Sequence, residues 1–307
     1  MADAKQGFLR DFYDRNFPLK ELEQETGIPA HKLAQVVPGA TAAGEDIIRR
    51  VYRPILERVT DDIPFLEEYM VLRRNEDILA RNPEALLPGG VHGLQGTLEA
   101  LGTLERRLGE GRFRAVQEAA DALWRANDEH VLGPLLNEGI LSREQYTAIA
   151  SANRHYIPWQ RADYADVFEN AMTRPEASVS STGLVRLTEE GSTRKLDNPL
   201  ARLEAQVIKT QRVLSRNRAA KGIAEALYDM ERRTGEKVIE FVDPQMARAQ
   251  RGTARTAETG ARFVAEGESS AAKETISWFE NGQKRTAVVP SIYGHVAKNL
   301  DAEPNNV

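Results

Sequence analysis

The chain has 307 residues, of which 28% are charged, with a formal net charge of -5 and no cysteine. The absence of cysteine excludes disulfides, thiolate chemistry and cysteine-based zinc sites, and the weak negative charge gives no overall attraction to nucleic acid or to a membrane surface. No apolar run reaches the roughly 20 residues that a membrane-spanning helix needs. The first residues, MADAKQGFLRDFYDRN, lack the apolar centre of a secretory signal, so secretion through a signal peptide is not expected.

The first 160 residues have the apolar spacing of a helical bundle. From Thr41 onward apolar residues recur at intervals of three and four, and Pro54 falls inside this pattern, where it should kink the helix. A second helix is predicted over Asp61–Ala80. The proline and glycine content of Leu86–Gly93 indicates a loop, and two further helices follow it.

The segment Leu132–Arg161 shows how this bundle ends. Gly139 is suited to the left-handed conformation just beyond a helix C-terminus. Ser142 followed by Gln145 is a capping-box pattern, which predicts that a short helix begins there.

An extended aromatic segment follows that short helix. Pro158 disfavours helical backbone at the residue before it, so Tyr156 to Trp159 should be extended. Two interpretations stay open: Tyr156 and Trp159 form a surface strap available to a partner, or the segment packs over the bundle with both rings in the core.

Residues 161–197 are predicted to be a linker. The stretch is rich in serine, threonine and charged residues and poor in large apolar ones. It could be a flexible arm that becomes ordered on a partner, or an ordinary surface loop.

A long helix is predicted at the start of the region 198–307. Asn198 and Pro199 have the residue types of an N-cap and a first helical position, and the pattern continues to Arg233. The apolar stripe changes face at Ser215–Arg218, which predicts a kink or a break there.

The C-terminal part contains the strongest β signal. Asn281-Gly282 lies between two alternating segments, as in a hairpin with a type I′ turn. Lys237–Val242 could add a short strand, and Ser291–Leu300 a last helix. The predicted fold is therefore mainly α, an elongated helical bundle with a small C-terminal antiparallel β-hairpin element.

Basic residues concentrate between Arg194 and Lys221. Eight of them are opposed only by Asp197 and Glu204, a local net charge of +6. Such a stripe could contact the phosphates of a nucleic acid, or it could be a solvated or partner-facing helix surface. The candidate contact residues are Arg202, Lys209, Arg212, Arg216, Arg218 and Lys221.

No short motif of catalysis, metal binding or cofactor binding is present. The sequence has no GxSxG, P-loop, GxGxxG or HExxH pattern, and its five histidines are far apart. We therefore predict no catalytic residue, metal or cofactor. Two carboxylates distant in sequence could still assemble into a hydrolase site.

Three segments carry a resemblance to a known family. They are GILSREQY with YIPWQR between Gly139 and Arg161, SRNRAAKGI at Ser215–Ile223, and WFENGQKRTAVV at Trp278–Val289. Together they resemble the large polyvalent-protein-associated domains found in giant polyproteins of tailed phages and mobile elements, over roughly residues 65 to 300. The resemblance implies a setting among virion-packaged proteins and implies no catalytic residues.

The functional hypothesis is a non-enzymatic, virion-associated phage structural protein, either an internal or ejection component or one attached to capsid or tail. It would act in the virion or the host cytoplasm through assembly with other virion proteins and with copies of itself. The first alternative is an accessory protein that binds nucleic acid through the basic stripe. The second is a carboxylate-based hydrolase.

Overall fold

The computed structural model describes residues 16–87, 91–152, 154–156, 199–242 and 273–300. Over these residues the protein is mainly α-helical with a small antiparallel sheet near the C-terminus, which confirms the predicted fold class. The linker predicted at 161–197 lies outside the described residues, as does Trp159.

The elements below are numbered in chain order. The helices are α1 (16–26), α2 (Ala30–Val36), α3 (Ala40–Ile47), α4 (Arg53–Glu57), α5 (Ile63–Leu79), α6 (Gly93–Leu108), α7 (Glu110–Asn127), α8 (Gly133–Asn137), α9 (Arg143–Ala152), α10 (Pro199–Thr234) and α11 (Ser291–Lys298). The strands are β1 (Glu240–Phe241), β2 (Lys273–Glu280) and β3 (Gln283–Pro290).

The chain forms two compact units. Among the described residues, the terminal unit comprises 16–40, 214–242 and 273–300, and the central unit comprises 41–87, 91–152, 154–156 and 199–213. The sequence suggested the regions 1–160, 161–197 and 198–307. In the structure, α1 and α2 share a core with the C-terminal sheet, so these two helices belong with the end of the chain.

In the central unit, eight of the 17 residues of helix α5 are buried. Both α6 and α7 pack against it. Its Tyr69 ring meets Phe113 of α7 edge to face, with ring centroids 5.7 Å apart. Its buried residues also include the polar Arg74 and Asn75, which apolar periodicity did not indicate.

Two prolines of the central unit each follow a π turn. The turn Ile48–Tyr52 ends just before α4, in which Pro54 is the second residue, and the turn Asp128–Leu132 ends just before α8, in which Pro134 is the second residue. Proline has no backbone N–H to donate to the preceding turn, so a locally wider turn accommodates it. The distortion predicted at Pro54 takes this form.

Gly44 marks a close contact between α3 and α10 in the central unit. A Cβ atom at this position would lie 2.6 Å from the Cα of Ile208, a backbone atom that cannot rotate away. We expect Gly44→Ala to lower the free energy of unfolding by about 1–3 kcal/mol, as overpacking does. Urea denaturation followed by circular dichroism would measure the loss.

Gly111 provides the matched control for Gly44. It is an exposed glycine in α7, and a Cβ there would meet no atom within 4 Å. Gly111→Ala should therefore leave stability unchanged or raise it by up to about 1 kcal/mol. Equal losses at the two positions would mean that α3 and α10 are not in close contact.

The terminal unit has one hydrophobic core, built from α1, α2, the second part of α10, the sheet and α11. Leu19 and Leu22 of α1 lie in it together with Ile223 and Leu227 of α10. The sheet contributes Ile276, Trp278, Ala287 and Val289. These four alternate with residues of the other sheet face, as the pleat of a strand requires.

The hairpin prediction is confirmed. β2 and β3 pair antiparallel around Asn281 and Gly282, whose φ angles of 49° and 72° match a type I′ turn. β3 is the middle strand, because β1 pairs with its other edge. β1 is shorter than the strand predicted at Lys237–Val242, since only Glu240 and Phe241 are in strand conformation.

Helix α10 runs without interruption over 36 residues. The sequence predicted a kink or a break at Ser215–Arg218, and the helix is not broken there. The change of apolar stripe has another cause. Residues up to Val213 belong to the central unit and residues from Leu214 to the terminal unit. The two parts of the helix contribute to different cores. A different face of the helix is therefore apolar in each part.

Candidate functional site

The junction between α8 and α9 has the geometry that the sequence predicts. Gly139 has a φ of 71°, in the left-handed region, just beyond the end of α8. The Ser142 N–H donates to Gln145 Oε1 at 2.8 Å, and the Gln145 N–H donates to Ser142 Oγ at 3.2 Å. These reciprocal hydrogen bonds form the capping box that begins α9.

Tyr156, the first aromatic residue of the predicted strap, lies inside the central unit. Its side chain is only 4% exposed. The Arg74 guanidinium carbon is 5.8 Å from the centroid of its ring, within the range of a cation–π contact. The Tyr156 ring therefore packs within the chain and does not form part of an exposed surface strap.

An aspartate–histidine pair fastens this segment to α5. The backbone N–H of His155 donates to Asp77 Oδ2 at 2.7 Å, and His155 Nδ1 lies 3.0 Å from Asp77 Oδ1. The Trp124 ring of α7 contacts the imidazole edge to face, with centroids 4.6 Å apart. Arg81 adds a hydrogen bond to the carbonyl of Ala152. We call Asp77, His155 and Arg81 the α5 anchor.

The neighbouring Arg73 guanidinium group defines the tautomer of His155. Arg73 Nη2 lies 3.3 Å from His155 Nε2. Arginine can only donate hydrogen bonds, so Nε2 is the acceptor and the ring proton is on Nδ1, facing Asp77. Burial raises the pKa of Asp77, but the hydrogen bonds from the ring and backbone of His155 and the positive charge of Arg74 outweigh it and hold the pKa below its usual value.

This arrangement favours a structural role for the pair. A histidine oriented by an aspartate can act as a general base when its second nitrogen faces a substrate. In this protein the second nitrogen faces the Arg73 side chain. The α5 anchor therefore holds residues 154–156 against α5.

The residues of the α5 anchor were not predicted from the sequence. Asp77 and His155 are 78 positions apart, and no local spacing connects them. One signal was available. Arg74 and Asp77 are charged residues between Leu72 and Leu79, two buried apolar residues of α5.

The six candidate residues of the basic stripe all lie on α10. Arg202, Lys209 and Arg212 belong to the central unit, and Arg216, Arg218 and Lys221 to the terminal unit. Only Arg218 is exposed, and the other five are half-buried.

Contacts within the chain occupy donors of this stripe. Arg212 Nε donates to Thr41 Oγ1 at 3.0 Å. Lys221 Nζ lies 3.2 Å from Glu280 Oε1 and 3.9 Å from Glu225 Oε1. Arg202, Lys209, Arg216 and Arg218 also interact with other residues of the chain. These contacts reduce the number of donors left for phosphates.

Helix α6 carries two exposed leucines on one face. Leu94 is 53% exposed and Leu98 is 47% exposed, and their spacing of four places them one turn apart. The buried residues Thr97, Leu104 and Leu108 lie on a neighbouring stripe, about 80° away around the helix axis. We call Leu94 and Leu98 the α6 apolar surface.

A second exposed apolar group lies on the terminal unit. The rings of Tyr228 and Phe241 are both about half exposed and meet edge to face, with centroids 5.8 Å apart. Phe241 also contacts Trp278, with centroids 6.2 Å apart. The pair therefore extends the core of the terminal unit to its surface.

Comparison of the chain with protein families, with curated proteins and with solved structures finds no match. Among the residues that the structure describes, no group of three or more histidine, aspartate or glutamate side chains could hold a metal ion. Within the same residues, no helix is both long and apolar enough to cross a membrane.

Proposed function

We propose that the chain is a non-enzymatic structural protein of a phage, associated with the virion, which acts through protein–protein assembly. The component is either internal to the virion, as ejection proteins are, or attached to capsid or tail. Its partners would be other virion proteins and further copies of the chain.

The observation that carries the assembly role is the α6 apolar surface. A single exposed leucine is ordinary on a protein surface. Leu94 and Leu98 are instead adjacent on one helix face and half exposed. Exposed apolar side chains that lie side by side are typical of surfaces that bind another protein.

The phage setting has separate support. It rests on the resemblance of the Gly139–Arg161 segment to domains of phage and mobile-element polyproteins. The capping box in this segment has its predicted geometry, so the motif has a defined structural role at the end of the bundle. The role in the virion follows from the resemblance alone.

Self-association through the α6 apolar surface provides the experimental test. We expect the purified chain to form an oligomer, and the double variant Leu94→Glu with Leu98→Glu to shift it towards the monomer. Burial of the exposed halves of two leucines contributes about 1.5–3 kcal/mol, so a reduction in affinity of at least about 10-fold is expected. Light scattering coupled to size-exclusion chromatography would measure the mass.

The matched control is Ala42→Glu with Ala43→Glu. Both alanines are exposed on α3 of the same unit, so the control adds the same two charges elsewhere. It should leave the oligomer intact. A chain that stays monomeric at high concentration, or an oligomer that both double variants disrupt equally, would contradict assembly through α6.

A further inference from the structure

Two polar side chains are fully buried, one turn apart, on the part of α10 that belongs to the central unit. Gln206 and Thr210 are both 0% exposed. Their spacing of four places them side by side on one helix face. Neither amide atom of Gln206 nor the hydroxyl of Thr210 has a hydrogen-bonding partner within the described chain.

Apolar side chains surround the pair along the helix. Leu203 precedes the pair, Val207 lies between its two members and Val213 follows it, all at most 1% exposed. Thr210 and Gln206 therefore occupy the core-facing side of the helix and not its edge. Side chains at such positions cannot reach bulk water.

Asn217 shows how the same helix satisfies another buried amide. Its side chain is also 0% exposed, but its Nδ2 donates to the carbonyl of Phe279 at 3.2 Å and its Oδ1 accepts the Phe279 N–H at 2.6 Å. Both polar atoms thus have partners. Gln206 and Thr210 need an equivalent set of hydrogen bonds, because buried polar groups are almost always paired.

We propose that Gln206 and Thr210 form an internal hydration site that holds ordered water. The three polar atoms offer a donor, an acceptor and a hydroxyl that can act as either. A buried water makes about three hydrogen bonds, so this set suits one or two water molecules. The flanking side chains are apolar and offer no hydrogen bonds to a larger polar ligand, so water alone accounts for the site.

The sign of a stability change tests the proposal. If water is bound, Thr210→Val removes one of its partners, and Tm should fall by about 3 °C. If the site is dry, the same change removes an unsatisfied hydroxyl, and Tm should rise or stay constant. The double variant Gln206→Leu with Thr210→Val removes the polar site, and its Tm should exceed that of Thr210→Val.

Thr147→Val is the control for the change of residue type. Thr147 is an exposed threonine in α9, so the change in Tm of this variant measures the effect of helix propensity without a buried hydroxyl. A high-resolution crystal structure of the unmodified chain provides the direct test. Water within about 3.2 Å of Gln206 and Thr210 would support the proposal. A dry site, or protein groups bonded to all three atoms, would overturn it.

Discussion

Replacing Asp77 with alanine is expected to lower the free energy of unfolding by about 3 kcal/mol, the usual effect of removing one partner from a buried ion pair. Asp77 accepts the backbone N–H and the ring N–H of His155. It also lies 3.7 Å from Arg74, whose side chain is 2% exposed. The substitution would leave the Arg74 charge buried without this carboxylate and release His155 from α5.

Urea denaturation at neutral pH would measure the effect. Glu84→Ala is the control, because Glu84 is an exposed carboxylate of the same unit and surface substitutions change stability by about 0.5 kcal/mol or less. Limited proteolysis adds a local readout, since cleavage after Arg154 should be faster in the Asp77 variant. A loss no larger than that of Glu84→Ala would mean that the α5 anchor does not hold this segment.

The contribution of Asp77 should also depend on pH. Its pKa is lower in the folded protein than in the unfolded chain, where it is about 3.9. The unfolded state therefore binds a proton first as the pH falls, and the stabilisation is lost through the folded pKa. The stability difference between the protein and Asp77→Asn should be constant from about pH 5 to 7 and shrink below about pH 4.

Replacing Asn217 with leucine is expected to lower the free energy of unfolding by about 3 kcal/mol, because two buried hydrogen bonds are lost. The Asn217 amide binds both backbone groups of Phe279 on the edge of β2 that faces away from β3. Leucine has a similar volume but no polar atom. The Phe279 backbone would lose both of these hydrogen bonds.

Glu225→Ala serves as the comparison for Asn217→Leu. Glu225 is exposed on the same helix, and its distance of 3.9 Å from Lys221 indicates a weak surface ion pair. It should change stability by less than about 1 kcal/mol. Amide hydrogen exchange in β2 provides a second readout. Unchanged protection of the Phe279 amide in Asn217→Leu would contradict the role of the hydrogen bonds between Asn217 and the Phe279 backbone.

Features set by neighbouring residues could be predicted from the sequence. The capping box at Ser142 and Gln145, the left-handed Gly139 and the Asn281-Gly282 turn all depend on residue types a few positions apart. The helix α5 was predicted within two residues of its observed bounds. Local propensities and apolar spacing are sufficient for such elements.

Features that depend on distant contacts could not be predicted in this way. The change of apolar stripe near Ser215 was interpreted as a kink or a break, although α10 is continuous and contributes to two cores. The partners of Asp77 and Asn217 are 78 and 62 positions away in the sequence. Both side chains act on backbone groups, and no residue pattern in the partner segment reveals such a contact.

The candidate surfaces were only partly visible in the sequence. The basic residues from Arg202 to Lys221 were predicted to be helical and lie on α10, but their burial and their contacts with Thr41, Glu225 and Glu280 depend on the fold. The α6 apolar surface was missed, because an amphipathic pattern does not reveal which of its leucines the core fails to cover. Exposure of this kind is a property of packing.

The most direct test of the proposed function is quantitative mass spectrometry of purified phage particles from the element that encodes the chain. If the chain is a virion-associated structural protein, its peptides should be found in washed particles at a constant ratio to the capsid protein. The Leu94→Glu, Leu98→Glu variant should reduce that ratio, and the Ala42→Glu, Ala43→Glu variant should not. A chain abundant in the infected cell but absent from particles would contradict the proposal.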